Sequence, residues 1–394
     1  MSPAASPDVT QQAAAPEVAN ARLGITYDGG IMIVEEESMQ HVADLPLDGF
    51  LRLNAAGDQR HLLVSTAQGF HVLDTGVEVR GHDDHFHLYS HEPKLTDTVF
   101  PAPKPGHAVL HAGRLALFSD EAGTIQVLDP ADVTKGPDAA IKTTFEAHHG
   151  VAIPIQGGGM IVSLPDRTGV NVLDKSGQVL ATTNECPGLH GEAAAHEAIT
   201  LGCADGTLVI KGTQITKVAA PDAYGRLGNQ AGSGSSDYVL ADYKTDKDAK
   251  LERPTRIALI DTEANSLRVV DLPASYSFRS LGRGPDGEAL VLTTDGNLTV
   301  IDPEHGTITE SIKVTAPWEE SETWQNPRPT LRVVGNIAYV TEPATAQLHA
   351  VHLPSAKVVD SVTLPHVPNE IQDVGLGSDS HDDHHDDHAG HDHE

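Results

Sequence analysis

The stretch Ala289-Leu-Val-Leu-Thr-Thr-Asp-Gly-Asn-Leu-Thr-Val-Ile-Asp302 joins two short apolar runs through an Asp-Gly turn. Asp-Gly between runs of Val, Ile, Leu and Thr indicates an antiparallel hairpin. Similar pairs of runs recur about every 40 to 50 residues, a period that is typical of propeller blades. The pairs begin at Leu23, Leu62, Leu115, Met160, Ile199, Tyr238, Ala289 and Ile337.

Each blade also needs an innermost strand ahead of its pair. Seven segments fit this position: Gly49–Asn54, Ala108–His111, Val151–Ile155, Glu192–His196, Arg226–Asn229, Phe278–Leu281 and Thr330–Val334. Asn369–Val374, near the other end of the chain, would complete the blade formed by residues 22–47. Joining both chain ends in one blade removes exposed sheet edges. The sequence therefore predicts an all-β, eight-bladed β-propeller of four-stranded antiparallel blades over residues 22–377, with seven blades as the alternative.

Composition limits the classes of partner. The formal net charge of −30 disfavours nucleic acid and anionic membrane surfaces, and no run approaches the length of a membrane span. Residues 1–21 lack the charged start and apolar centre of a signal peptide, so we expect a mature chain with a disordered N-terminal segment. We also expect a disordered tail over residues 378–394 and a monomeric protein.

Histidines precede or begin three successive innermost strands, in Pro105-Gly-His107, His148-His149-Gly150 and Cys186-Pro-Gly-Leu-His190. Loops that lead into innermost strands gather at one mouth of a propeller channel. His107, His149 and His190 should therefore lie on one arc of that mouth, with His148 as the alternative to His149. Imidazole nitrogen suits zinc, which takes four ligands at about 2.0–2.3 Å. The pattern predicts a zinc site at this mouth.

Two further segments are dense in histidine and aspartate. An internal segment, His82-Asp-Asp-His-Phe-His-Leu-Tyr-Ser-His91, precedes the loop of His107, and we expect it to fold over the mouth and supply further ligands. His82, His85 and His87 are its candidates, and in an extended segment His85 and His87 share a side because side chains alternate. The C-terminal tail is predicted to capture metal through His381, His384, His385, His388, His391 and His393.

The chain contains two cysteines, Cys186 and Cys203. Cys186 leads into one innermost strand and Cys203 ends the next strand, so both should lie at the same mouth. A disulfide there would hold the loop of His190, and this is the interpretation we favour. Zinc ligation by cysteine is the alternative.

The strings Pro105-Gly-His107, His148-His149-Gly-Val-Ala and Cys186-Pro-Gly-Leu-His190-Gly-Glu, with the internal His82–Tyr89 segment, resemble the AztD-like periplasmic zinc metallochaperones. The resemblance extends over the whole propeller. It implies a periplasmic protein that binds Zn(II) and transfers it to the solute-binding protein of a zinc ABC transporter. The role of zinc ligand is carried over only to the histidines in those strings.

The function predicted is thus a zinc carrier that is not an enzyme. A metal-dependent hydrolase or lactonase on a propeller scaffold is the alternative, with Glu192 as general base for a zinc-bound water. The sequence contains no nucleophile elbow and no HExxH motif. A scaffold that binds proteins by its rim is a third possibility, and the charged insert Asp242–Arg256 would be its contact.

Overall fold

The structure, a computed structural model, describes residues 21–82 and 85–374, with the backbone alone at positions 79, 81, 82 and 85–88. Eight four-stranded antiparallel sheets follow one another around a ring, and a two-stranded hairpin is added to them. The predicted all-β, eight-bladed propeller is therefore confirmed. Among the described residues, no helix is long and apolar enough to cross a bilayer.

The first nine strands form blades 1 and 2 and the hairpin, which is inserted into blade 2. Their strands are β1 (Arg22–Tyr27), β2 (Gly30–Glu35), β3 (His41–Pro46), β4 (Arg52–Ala55), β5 (His61–Thr66), β6 (Gly69–Asp74), β7 (Val77–His82), β8 (His85–Ser90) and β9 (Lys94–Pro101). Strands β4, β5, β6 and β9 form blade 2 in that order, while β7 pairs with β8 as the hairpin.

Blades 3 to 5 carry the three histidine motifs. Their strands are β10 (Pro105–His111), β11 (Arg114–Ser119), β12 (Thr124–Leu128), β13 (Ile141–Thr144), β14 (Ala152–Pro154), β15 (Met160–Ser163), β16 (Val170–Leu173), β17 (Val179–Thr183), β18 (His190–Ala194), β19 (Ile199–Cys203), β20 (Asp205–Lys211), β21 (Gln214–Ala219) and β22 (Gly225–Arg226). Short 3₁₀ helices span Pro130–Asp138 and Gln156–Gly158. β22 pairs in parallel with β20.

Blades 6 to 8 complete the ring. Their strands are β23 (Gln230–Ala231), β24 (Tyr238–Asp242), β25 (Arg256–Asp261), β26 (Ser266–Asp271), β27 (Tyr276–Arg283), β28 (Ala289–Thr293), β29 (Asn297–Asp302), β30 (Thr307–Lys313), β31 (Leu331–Val334), β32 (Ile337–Glu342), β33 (Gln347–His352) and β34 (Lys357–Thr363), with a 3₁₀ helix at Leu353–Ser355. The last strand, β35 (Ile371–Val374), pairs with β1, so the two ends of the chain close the ring as predicted.

The core lies between neighbouring blades. One cluster joins Val109 of blade 3, Ile153 of blade 4 and Leu201 of blade 5, all buried. Burying each such side chain contributes about 1.5–3 kcal/mol. Blades 3 to 5 are thus packed into one unit, and this fixes the relative positions of the strands that carry the histidines.

The two ends of the propeller carry different loops, because strand direction alternates within each blade. Turns between second and third strands lie at one end, together with the loops that lead into innermost strands. We call this end the histidine face, since His107, His149 and His190 lie there. Turns between third and fourth strands lie at the opposite end, and the hairpin β7–β8 is inserted between the third and fourth strands of blade 2.

Candidate metal centre

Three histidines converge at the mouth of the channel on the histidine face. His107 lies in β10 and His190 begins β18, whereas His149 lies in the loop that leads into β14. Both β10 and β18 contain a register shift at the histidine. Such bulges re-aim the side chains that they carry. The three ring centroids are 5.2, 5.5 and 5.7 Å apart.

Each of the three rings is held through its Nδ1 atom. The Nδ1 contacts are His107 with Glu192 Oε1 at 3.2 Å, His149 with Asp120 Oδ2 at 2.6 Å, and His190 with the Gly228 carbonyl oxygen at 2.6 Å. Metal-binding histidines in proteins usually donate their second ring N–H to a carboxylate or a carbonyl in this way. The contacts fix the orientation of each ring and leave Nε2 for a metal ion.

The three available ligand atoms lie within 4.8 Å of one another. An ion held tetrahedrally at 2.0–2.1 Å requires nitrogen atoms about 3.4 Å apart. Binding would therefore draw the nitrogens together by at most about 1.4 Å, which small side-chain rotations can supply. A set of three nitrogens also leaves the fourth zinc position for water or for a ligand from another protein.

Two glycines make room for the groups that hold the rings. A Cβ atom on Gly106 would lie 2.2 Å from Oδ1 of Asp120, the residue that binds His149. Gly191 has a φ of +76°, and a Cβ there would lie 2.4 Å from the Gly228 oxygen that binds His190. The glycines beside His107 and His190 in the motifs are therefore required by close approach and backbone conformation.

Cys186 and Cys203 form a disulfide, as predicted, with their Cα atoms 4.9 Å apart. Cys186 lies in the loop before His190, and Cys203 follows Gly202, the residue that pairs with His190. The bond therefore ties both sides of the backbone at this histidine. Because both sulfurs are in the disulfide, neither cysteine is a thiolate ligand.

Two arginines hold the same loop from outside. The Nε and Nη2 atoms of Arg167 donate to the Leu189 carbonyl at 3.0 and 2.9 Å, and Nη1 of Arg226 donates to the Gly188 carbonyl at 2.9 Å. With the disulfide, these bonds restrict the backbone immediately before His190. The His190 ring is therefore held in place, which would lower the entropic cost of binding an ion.

The chain is similar in sequence to a protein named as a zinc chaperone. The sequence is 30% identical over 335 residues to the zinc chaperone AztD of Citrobacter koseri, a match that covers 81% of this chain and 77% of that protein. The chain belongs to the AztD family. No protein-family model matches the sequence.

Solved structures agree with membership of the AztD family. The crystal structure of Citrobacter koseri AztD has a TM-score of 0.79 at 27% identity, covering 91% of this chain and 99% of that chain. The structure of apo AztD from Citrobacter koseri has a TM-score of 0.78 at 26% identity, covering 91% and 98%. The dihydro-heme d1 dehydrogenase NirN, at 13% identity and a TM-score of 0.57, shares the fold alone.

His148, another predicted ligand of this AztD-family chain, lies apart from the three rings. His148 is buried, its Nδ1 donates to the Glu146 carbonyl at 2.7 Å, and its Nε2 is 2.8 Å from Ser163 Oγ. Both of its nitrogens are thus engaged within blade 4, and the structure does not bring it to the group formed by His107, His149 and His190.

The hairpin does not start from the histidine face. It leaves blade 2 beside the pair Asp74–Lys94, at the opposite end of the propeller. The side chains of His82, His85 and His87 lie outside the described residues, as does the tail that contains His381, His384, His385, His388, His391 and His393. The hairpin was expected to fold over the channel mouth, but its base lies at the opposite end of the propeller.

The two carboxylates that orient the rings, Glu192 and Asp120, were not predicted in this role. Glu192 was predicted as the general base of the alternative hydrolase, but the structure places this carboxylate on Nδ1 of His107, where it orients the ring. Asp120 was not predicted, although it directly follows β11 and is buried, with 6% of its surface exposed. An aspartate at a strand end facing a histidine loop is the signal that could have identified it.

Burial and charge shift the pKa values of His107 and His190 in opposite directions. Burial by itself lowers the pKa of His107, but the Glu192 carboxylate outweighs it, so the pKa is raised above 6.5. The same contact lowers the pKa of Glu192 in spite of the opposing effect of burial. Burial lowers the pKa of His190 to about 4, and repulsion by the other two rings adds to this shift. The His190 ring is therefore neutral over the whole physiological range.

Zinc affinity is expected to fall as the pH drops through the pKa of His107. Because this pKa is raised above 6.5, the ring takes up a proton at a higher pH than a free histidine does, and an ion must displace that proton. The apparent affinity should then fall about tenfold per pH unit below the pKa. Competition with a chelator from pH 5 to pH 8 measures the apparent zinc affinity. An affinity that is constant across this range would contradict the assignment of His107 as a ligand.

Reduction of the disulfide is expected to destabilise the fold. The bond joins residues 17 apart in sequence, and a loop of this length contributes about 3 kcal/mol to the free energy of unfolding. Urea unfolding with and without a thiol reductant measures the effect. The double variant Cys186→Ala/Cys203→Ala is the control, because the reductant should leave its midpoint unchanged. Equal midpoints for the oxidised and reduced native chain would contradict the prediction.

Proposed function

We propose that this chain is a zinc chaperone that holds Zn(II) on Nε2 of His107, His149 and His190. The observation that carries the proposal is the set of three converging imidazoles, each with Nδ1 engaged by its own acceptor. Such a site suits zinc and offers it an open fourth position. Membership of the AztD family, whose Citrobacter koseri member is named a zinc chaperone, supports the same function.

The cargo would be passed to the solute-binding protein of a zinc ABC transporter in the periplasm. A disulfide persists in oxidising compartments, and this supports a location outside the cytoplasm. The open fourth position supports direct transfer, because a ligand of the acceptor can bind the ion before the first histidine leaves. The part-exposed His107, His149 and His190 are accessible to such a ligand.

Direct transfer is tested by mixing the zinc-loaded chain with the metal-free solute-binding protein. The acceptor should gain zinc faster than a chelator takes it from the chain by spontaneous dissociation, and the rate should rise with acceptor concentration. The chelator alone, at matched concentration, is the control. A transfer rate equal to spontaneous dissociation at every acceptor concentration would refute the chaperone function.

The tail is proposed to collect zinc for the chain. Deleting residues 380–394 removes six histidines and should slow the capture of zinc while one tight site remains. Stopped-flow mixing with a zinc indicator measures capture, and equilibrium competition measures the tight site. Capture at the same rate with and without the tail would contradict this role.

A further inference from the structure

A second feature of the histidine face is a cleft between blades 6, 7 and 8. Its cavity of about 90 Å³ has room for about three water molecules or for the end of one long side chain. One wall is the insert between β24 and β25, and the other is the loop that leads into β31. Ion pairs between Lys250 and Glu322 at 2.5 Å and between Arg253 and Glu319 at 3.1 Å join the two walls.

The lining of the cleft combines apolar surface with an excess of negative charge. Its apolar and aromatic members are Leu251, Pro254, Tyr276, Phe278 and Trp324, and its charged members are Asp242, Lys244, Glu252, Glu320, Glu322 and Arg328. Four acids against two bases leave a net charge of −2. Burial raises the pKa of Tyr276, and the nearby carboxylates of Asp242, Glu252 and Glu320 raise it further. Apolar walls around carboxylates suit a cationic side chain, whose stem packs on the walls while its head meets the charge.

Asp242 ends β24 and is one of the residues that line this cleft. The residue is 1% exposed, and its Oδ2 atom accepts no hydrogen bond from any described residue. The nearest cation is the partly exposed Lys244 ammonium, which lies 3.5 Å from Oδ2. A buried carboxylate oxygen without a hydrogen bond is costly, so a donor that enters the cleft gains a strong, charge-assisted bond there.

The other oxygen of Asp242 is linked to the metal centre. Oδ1 accepts from the backbone N–H of Gly228 at 2.5 Å and from that of Asn229 at 2.9 Å. The Asn229 N–H and the Gly228 carbonyl belong to one planar peptide group. That same carbonyl accepts from His190 Nδ1 at 2.6 Å. One peptide unit thus connects the carboxylate of the cleft to a histidine of the proposed zinc site.

We propose that the cleft receives a lysine or arginine side chain of the protein that accepts the metal, and that Asp242 transmits its arrival to His190. The identity of that protein rests on the proposed function, whereas binding of the side chain does not. The negative charge of Asp242 polarises the peptide group and strengthens the carbonyl as an acceptor for His190. A cation on Oδ2 offsets this charge, lowers the basicity of the His190 ring and so weakens its bond to zinc. Docking would then favour release.

The cleft is tested first without zinc, by titrating the full chain with the peptide acetyl-Gly-Arg-Gly-amide. The chain has two tryptophans, so labelling their indole nitrogens with ¹⁵N gives two NMR signals. The signal of Trp324, in the cleft, should shift with saturation. The signal of Trp318, whose indole donates to the Thr293 carbonyl at 3.2 Å, should not. The matched peptide acetyl-Gly-Gln-Gly-amide should leave both signals in place. An equal response to both peptides, or none to either, would overturn the proposal.

The link to His190 is tested by the rate at which the zinc-loaded chain loses zinc to excess chelator. Saturating arginine peptide should speed this loss by about fivefold, a typical coupling between two sites. Asp242→Asn keeps the shape of the side chain and can still accept at Oδ1. It should release zinc faster without peptide and show no further response to it.

Asp248→Asn is the matched control, since it makes the same change at an exposed residue of the insert that follows β24, outside the lining of the cleft. It should behave as the native chain does. Zinc loss that is indifferent to bound peptide would overturn the link. A chain whose zinc is not held by the three histidines would refute the proposed function, while the zinc-free titration would still decide the cleft.

Discussion

Tight zinc binding is expected to disappear when His107, His149 and His190 are replaced together by alanine. Structural zinc sites contribute about 10–16 kcal/mol over four ligands, or about 2.5–4 kcal/mol for each. Removing one histidine should therefore weaken binding by roughly 100- to 1,000-fold, and removing three should leave no site at this mouth. Competition with a chelator of known affinity measures each variant.

The triple variant should retain its fold, because the three rings are partly exposed and lie outside the inter-blade core. His305→Ala is the control, since His305 is an exposed turn residue whose Nδ1 contacts Asp302 at 2.7 Å. A triple variant that unfolds at the same temperature and binds zinc as tightly as the native chain would refute the assignment of the site.

A loss of about 10- to 100-fold in zinc affinity is expected for Asp120→Asn, although Asp120 does not touch the ion. The carboxylate holds Nδ1 of His149 at 2.6 Å and stabilises the positive charge that zinc induces in the ring. The amide keeps the shape but removes the charge. Chelator competition and calorimetry measure the effect on affinity and on its enthalpy.

Asp302→Asn offers a matched control, because Asp302 makes the same kind of contact with His305 on an exposed turn of blade 7. That variant should bind zinc normally. An affinity for Asp120→Asn that equals the native value would show that His149 needs no orienting carboxylate, and the role given to Asp120 would then be wrong.

The repeats made the architecture predictable. Each blade has its own turn signal and its own apolar runs, so an error in one blade leaves the others intact. The closing strand was predicted as Asn369–Val374 and is observed as Ile371–Val374. It could be found because the first outer pair, at Leu23, has no innermost strand before it in the sequence. The number of blades follows from the same count.

One innermost strand was predicted wrongly. The segment Arg226–Asn229 was expected in blade 6, whereas β23 covers only Gln230–Ala231. The backbone N–H groups of Gly228 and Asn229 bind the Asp242 side chain instead of a neighbouring strand. Bonds from a distant side chain to the backbone leave no mark in local periodicity, so sequence alone could not place this boundary.

The site was predictable in part. The three histidine motifs fall at equivalent points of successive repeats, and the structure brings their rings together. The hairpin was expected at the same mouth because it precedes His107 closely in sequence. Counting strands would have placed the base of the hairpin at the other end, since an insertion between the third and fourth strands starts there. The carbonyl of Gly228, a backbone acceptor, has no signature in the sequence.

The two ends of the described chain meet far from the histidine face. Arg22, at the start of β1, pairs with Val374, the last residue of β35. A bead, a biosensor chip or a fused fluorescent protein joined directly at Arg22 or Val374 would therefore stand behind the propeller. The face with the three imidazoles and the cleft would point toward the solution, so binding measured on such a surface should match binding measured with the free protein.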